Sequence, residues 1–161
     1  MKCILSADNN WGIGYGNSLL IKIPGDMKRF RQITTGNCLI MGRKTLESFP
    51  QSRPLENRVN IVLTNNKDYK VDGAIVVHSI EDALSEAKKT GKEIYIIGGE
   101  TVYRQFLPYC DEALVTRIEH SYEADAHFPD LDNDPEWELV EKGEEETCFD
   151  IIFYYCTYKR K

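Results

Sequence analysis

The chain has 161 residues, 42% apolar and 29% charged, which fits one ordinary domain able to bury roughly two-thirds of its unfolded surface. A net charge of −6 disfavours nucleic acid as a partner, and no apolar stretch approaches the roughly 18 residues of a membrane span. The opening MKCILSADNN turns polar too soon for a secretion signal, so a cytoplasmic location is expected; a single domain over residues 1–161, a monomer with neither membrane nor nucleic acid as partner, completes the expectation.

Five cysteines are scattered without C-x-x-C spacing, and three histidines lie in no metal-ligand pattern. Neither a disulfide framework nor a zinc site is indicated. Charge is uneven: residues 22–70 carry ten Lys/Arg against four Asp/Glu, and residues 119–150 carry one against thirteen. The early region can attract a small polyanion, whereas the acidic stretch reads as solvated surface.

In chain order, CILSA (3–7) reads as a strand, GDMKRFRQI (25–33) as a helix, and CLIM (38–41), VNIVL (59–63) and AIVV (74–77) as strands. SIEDALSEAKK (79–89) places Ile80, Ala83, Leu84 and Ala87 at helical spacing, with Ser79 and Asp82 as a capping pair and Gly91 as a stop. EIYIIGG (93–99) is a strand running into the helix TVYRQFL (101–107); EALVTRIE (112–119), WELVEK (137–142) and DIIFYYCTYK (150–159) close the sheet as strands. The acidic GEEE at 143–146 reads as the turn between the last two, and 120–136 as a long polar loop. Continuous Ile, Val and Leu runs imply strands buried on both faces. The fold class is therefore α/β, with a largely parallel central sheet of about eight strands, a C-terminal antiparallel hairpin and about four flanking helices.

Ligands of such sheets bind beyond the carboxyl ends of the strands. Two glycine-bearing strand ends open helices there: Gly98-Gly99 before ETVYRQF, and Gly42 before Arg43-Lys44-Thr45. A glycine at either place also serves simply to turn the chain; together they suit two anionic groups of one long ligand. Neither matches a P-loop or the G-x-G-x-x-G fingerprint. Asp26, in the first turn of its helix, is either a solvated partner of the helix dipole or, flanked by Met27 and Phe30, the acid that grips a flat heterocycle.

The stretches SADNNWGIGYGNSL (6–19), IPGDMKRFR (23–31), LIMGRKTLESF (39–49), RPLENRVNIVLT (53–64), IYIIGGETVYRQFLP (94–108), VTRI (115–118) and DAHFP (125–129) lie in this order. Through them the chain resembles the bacterial dihydrofolate reductases over nearly its whole length. The resemblance implies NADPH-dependent reduction of dihydrofolate to tetrahydrofolate, with antifolate inhibitors as further ligands. It implies that Asp26 binds the pterin, with Thr116 supporting it. Ile4, Ser6, Met27, Phe30, Phe49, Leu55 and Ile97 would wall the cleft, Arg58 would pair with the substrate's glutamate carboxylate, and Arg53 would sit near that tail.

For the cofactor, the resemblance implies a lid formed by Gly12, Ile13, Gly14, Tyr15, Gly16, Asn17 and Ser18 over the nicotinamide, with Ser6 beneath it. Gly98, Gly99, Glu100, Thr101, Val102 and Tyr103 would meet the pyrophosphate, and Gly42, Arg43, Lys44 and Thr45 would hold phosphates. Thr64, Asn65 and His78 would border the 2′-phosphate. A cis Gly98–Gly99 peptide and an Asp125 that steadies the lid are likewise implied. Where the family has Leu-Pro-Trp, this chain has Leu19-Leu20-Ile21, so a more mobile lid and slower turnover are expected. Glu100 replaces a small residue and is expected to point to solvent; burial is expected to raise the pKa of Asp26. Two alternatives stay open: a related NADPH-dependent pyrimidine reductase of riboflavin synthesis, and a relative that binds folate or NADPH without catalysis.

Overall fold

The computed structural model describes all of residues 1–161. In chain order the elements are β1 (Lys2–Ala7), β2 (Gly12–Gly14), α1 (Pro24–Thr34), β3 (Cys38–Gly42), α2 (Arg43–Glu47), β4 (Val59–Leu63), β5 (Ile75–Val77) and α3 (Ile80–Lys89). They continue with β6 (Ile94–Ile96), α4 (Glu100–Phe106), β7 (Glu112–Ile118), β8 (Ala126–His127), β9 (Trp137–Lys142), β10 (Glu146–Cys148) and β11 (Ile151–Arg160). The main sheet runs β10-β11-β7-β1-β6-β3-β4-β5, parallel from β7 to β5, with β11 antiparallel to β7. This is the α/β architecture expected, with four α-helices and an antiparallel C-terminal hairpin.

Burial explains the continuous apolar runs. Cys38, Leu39, Ile40 and Met41 of β3 are each fully buried because helices cover both faces of the sheet there. Ser79 Oγ accepts from the Asp82 backbone N–H at 3.1 Å and so caps α3, whose last turn carries Lys88 and Lys89 against the dipole.

One expectation is overturned at the C-terminus. GEEE is no turn: β9 and β10 lie along the same edge of β11, and residues 143–145 interrupt that edge strand where the Gly143 N–H donates to the Tyr155 carbonyl at 2.8 Å. A Cβ at Gly143 would stand 3.1 Å from that carbonyl oxygen, hence the glycine. The chain reverses instead at Phe149-Asp150, both left-handed at φ 52° and 61°. Two consecutive positive φ values match the right-handed twist of a tight hairpin, but neither residue is the glycine that normally marks such a turn. Apart from the main sheet, β2 and β8 pair with each other and tie the 12–14 segment to 126–127.

Candidate functional site

Pro24 at the start of α1 and Asp26 in its first turn set the helix against the sheet. The Thr116 hydroxyl donates to Asp26 Oδ1 at 2.6 Å, and Oδ2 has no hydrogen-bond partner in the protein. Thr116 is buried on β7, in register with Ser6 of β1 on one side and Tyr155 of β11 on the other. Burial pushes the Asp26 carboxyl above its ordinary value, in the direction expected, while the Thr116 hydrogen bond and the Arg29 charge pull it back.

Ile4 is buried in a cluster with Leu39, Met41 and Leu46, and Phe30, Phe49, Leu55 and Ile97 pack against that cluster. Met27 lies outside it, 48% exposed. Ile21 packs instead against Ile23, Ile118 and Phe153; it fills space but offers no hydrogen-bond donor.

Beyond Leu55 an open pocket is lined by Arg31, Arg53 and Arg58 among others. Arg58 is oriented from within: Nε donates to the Glu56 carbonyl at 2.9 Å and Nη1 to the Thr34 hydroxyl at 3.1 Å. The loop carrying it is fastened by Asn60, 2% exposed, whose amide accepts from the Leu55 N–H and donates to the Leu55 and Arg58 carbonyls. Sequence reading missed Asn60; the lone amide inside the apolar run VNIVL was its signal.

The two glycine strand ends meet. The Gly42 N–H donates to the Gly98 carbonyl at 2.9 Å, and the Gly98–Gly99 peptide is cis. A Cβ on Gly42 would stand 3.2 Å from Val102, and one on Gly98, at φ 120°, would stand 3.2 Å from the Tyr103 ring. Tyr103 is pinned by its hydroxyl on the Ile4 carbonyl at 2.8 Å. The result is a bare backbone cradle at the starts of α2 and α4, with Thr45 Oγ1 3.7 Å from where a Gly99 Cβ would be. Lys44 and Thr101 are exposed beside it. Arg43 spends its guanidinium on Glu47, 2.7 Å away along α2. At the ends of β4 and β5, His78 Nδ1 bonds the Thr64 carbonyl at 2.8 Å and Asn65 is exposed. Glycine cradle, Lys44 and this polar corner fit a dinucleotide with a pyrophosphate.

The lid residues follow. Tyr15 and Ser18 exchange backbone hydrogen bonds of 3.0 and 3.1 Å around Gly16 and Asn17, at φ 58° and 63°. The Gly16 N–H donates to Asp125 Oδ2 at 3.0 Å, and Asn17 Nδ2 to the Lys44 carbonyl at 3.1 Å. The segment expected to form the lid is thus tied to Asp125 before β8 on one side and to α2 on the other. Ile13 packs on the core.

Glu100 departs from expectation: its carboxylate accepts from the backbone N–H of His127 rather than turning to solvent. The His127 N–H on β8 supplies the donor that turns the carboxylate inward. Asp8 was also missed. Fully buried, it accepts from the Asn10 and Gly12 N–H groups through Oδ1 at 2.9 and 2.8 Å and from the Tyr122 N–H through Oδ2 at 2.9 Å. The Asp-Asn-Asn run after β1 signals a local turn, but nothing near it in sequence announces Tyr122.

A family profile described as dihydrofolate reductase matches residues 1–160. The dihydrofolate reductase of Bacillus subtilis is 38% identical over 98% of this chain and 93% of its own, and that of Staphylococcus haemolyticus 36% identical with the same coverage. Among solved structures, dihydrofolate reductase from Enterococcus faecalis, complexed with NADP(H) and RAB-propyl, superposes with a TM-score of 0.87 at 35% identity, covering 99% of this chain and 95% of that one.

Proposed function

Since the chain belongs to the dihydrofolate reductase family, we propose that Asp26 and the apolar cluster around Ile4 hold the substrate for the family's reaction. The protein is an NADPH-dependent oxidoreductase that reduces 7,8-dihydrofolate to 5,6,7,8-tetrahydrofolate. The observation that carries the site assignment is the Asp26 carboxyl, fixed through Oδ1 by Thr116 and free at Oδ2. That oxygen would accept from the paired N–H donors at one edge of the pterin, and inhibitors offering the same donors would compete for it.

When bound, NADPH would supply the hydride for reduction at pterin C6. The glycine cradle of Gly42, Gly98 and Gly99, with Lys44 and Thr45, would hold its phosphates, and Thr64, Asn65 and His78 its 2′-phosphate. Ser6 and the lid would exclude bulk water from the ring faces. Ile4, Phe30, Phe49, Leu55 and Ile97 would flank the pterin and benzoyl groups. Arg58, already oriented by Glu56 and Thr34, would meet the glutamate carboxylate, with Arg53 nearby.

Asp26, gripping the edge away from N5, would not deliver the proton itself. Its charge would favour protonation at N5 from water, a role in which orientation and electrostatics supply the rate. The same reading takes residues 1–161 as one domain, acting as a cytoplasmic monomer.

Mixing the protein with NADPH and dihydrofolate tests this: absorbance in the nicotinamide band falls with turnover in the wild type and stays nearly level with Asp26→Asn at neutral pH. Full turnover by Asp26→Asn would remove Asp26 from the role assigned to it.

A further inference from the structure

Arg29 follows Asp26 by three residues on α1, a spacing that puts both side chains on one face and favours an ion pair. None forms: no cation lies within 4.0 Å of Asp26. Instead the Arg29 guanidinium sits over the ring of Tyr155, 4.2 Å from its centroid. Tyr155 is held by β11, opposite Thr116, and meets Phe153 edge-on at 5.6 Å. It belongs to the same apolar cluster as Ile21, the residue that stands where the family carries an indole.

We propose that Tyr155 is a positioning residue that draws Arg29 beside Asp26 yet off it, leaving Oδ2 open to substrate while the guanidinium's charge still acts on the carboxyl. This rests on Asp26 being the substrate's anchor. The ring face attracts the planar cation; without it, Arg29 is released to pair with the carboxylate three residues back on the same helix face, whose charge it already feels, and substrate must then displace an arginine.

Electrostatic coupling runs the same way. Arg29 opposes the upward push of burial on Asp26. Tyr155 is raised by burial first and by Asp26 second, with Arg29 opposing and Glu146 of β10 adding to it. The groups acting on this carboxyl are thus Arg29 from its own helix, Thr116 from β7 and Tyr155 from β11, with Glu146 of β10 acting in turn on the phenol.

The experiment measures KM for dihydrofolate and the pH midpoint of the kcat/KM profile in Tyr155→Leu, Tyr155→Phe, Arg29→Gln, Arg29→Lys and the Tyr155→Leu/Arg29→Gln double variant. Tyr155→Leu is expected to raise KM about two- to fivefold, the span of a half-exposed ion pair, and to move the midpoint down. Arg29→Gln moves it up, because a cation is lost. Tyr155→Phe, which keeps the ring, restores the wild-type KM, and the double variant returns to that of Arg29→Gln. Arg29→Lys, which stacks less well, reproduces the Tyr155→Leu rise with the ring intact, so the outcome does not depend on Tyr155→Leu folding.

An equal KM rise from Tyr155→Leu in the presence and absence of Arg29 would overturn the proposal in favour of lost packing. So would a Tyr155→Phe that behaves like Tyr155→Leu, which would move the role to the hydroxyl, or midpoints that do not separate. Full turnover by Asp26→Asn would instead strike the reading of Asp26 itself.

Discussion

Thr116 reaches Asp26 across 2.6 Å from a strand position only 2% exposed, so the donor is fixed by the sheet while the acceptor rides on a helix start. Replacing Thr116 with Val keeps the shape and deletes the hydroxyl. A hydrogen bond to an ionised group contributes about 1.5–3 kcal/mol, so KM for dihydrofolate is expected to rise by roughly a factor of ten or more. The pH midpoint of kcat/KM moves up as well, because burial is then opposed by Arg29 alone. Steady-state kinetics across pH check both; an unmoved midpoint would separate Thr116 from the charge state of Asp26.

The raised pKa of Asp26 carries a stability consequence. A carboxyl that is harder to ionise in the folded chain than in the unfolded one contributes stability fully present below the unfolded value, about 3.9, and lost as pH rises through the folded value. Asp26→Asn, whose side-chain oxygen still accepts from Thr116, is therefore expected to melt higher than wild type at pH 7. The gap closes as pH falls below about 4. Thermal melts over that range decide it, and an Asn variant that melts lower at pH 7 contradicts it.

Glu100 brings a negative charge to the first residue of α4, beside the cradle assigned to the pyrophosphate, and anchors β8 at the same time. Glu100→Gln keeps an acceptor and removes the charge, so NADPH binds more tightly at low salt, with the gain fading as ionic strength rises. Glu100→Ala also releases the His127 N–H and lowers stability by about 1 kcal/mol. Titrations at two salt concentrations and a melt separate the two effects; salt-independent binding by the Gln variant counts against the first.

Asn60 makes three hydrogen bonds from a buried position. Its replacement by Ala strands the Leu55 and Arg58 backbone groups and is expected to cost about 2–3 kcal/mol. As the Arg58 loop loosens, KM for dihydrofolate rises while KM for NADPH does not. Parallel increases for both ligands would indicate general unfolding instead.

The sequence announces what is local. Gly91 after the α3 pattern, the unbroken CLIM and VNIVL runs and the glycines at 42, 98 and 99 each carry their structural meaning within a few residues. Asp26 stands out in the first turn of its helix, although that place alone leaves it open between a dipole partner and a ligand's anchor, and the family resemblance decides between them. Contacts between distant elements are less legible. GEEE has the composition of a turn, yet the reversal falls to Phe149-Asp150, where hairpin twist overrides residue preference. Glu100 reads as solvated until β8 supplies an N–H, and Asp8 reads as a local turn until Tyr122 arrives from more than a hundred positions away. Arg29 looks like one more surface cation among the basic residues of its region, because the ring it covers is near the far end of the chain.

The interruption at residues 143–145 lies on the outermost strand, which also displays Leu139 and Val140, 45% and 46% exposed. An unbroken border with those aliphatic groups would be a template onto which a second molecule's strand could zip. Here the border is kinked at Gly143 and lined by Glu144, Glu145 and Glu146, so two copies approaching side by side meet like charge and a broken ladder of backbone donors. The same few residues that mimic a turn in the sequence thereby leave the border of the sheet without a continuous ladder for a second strand to extend.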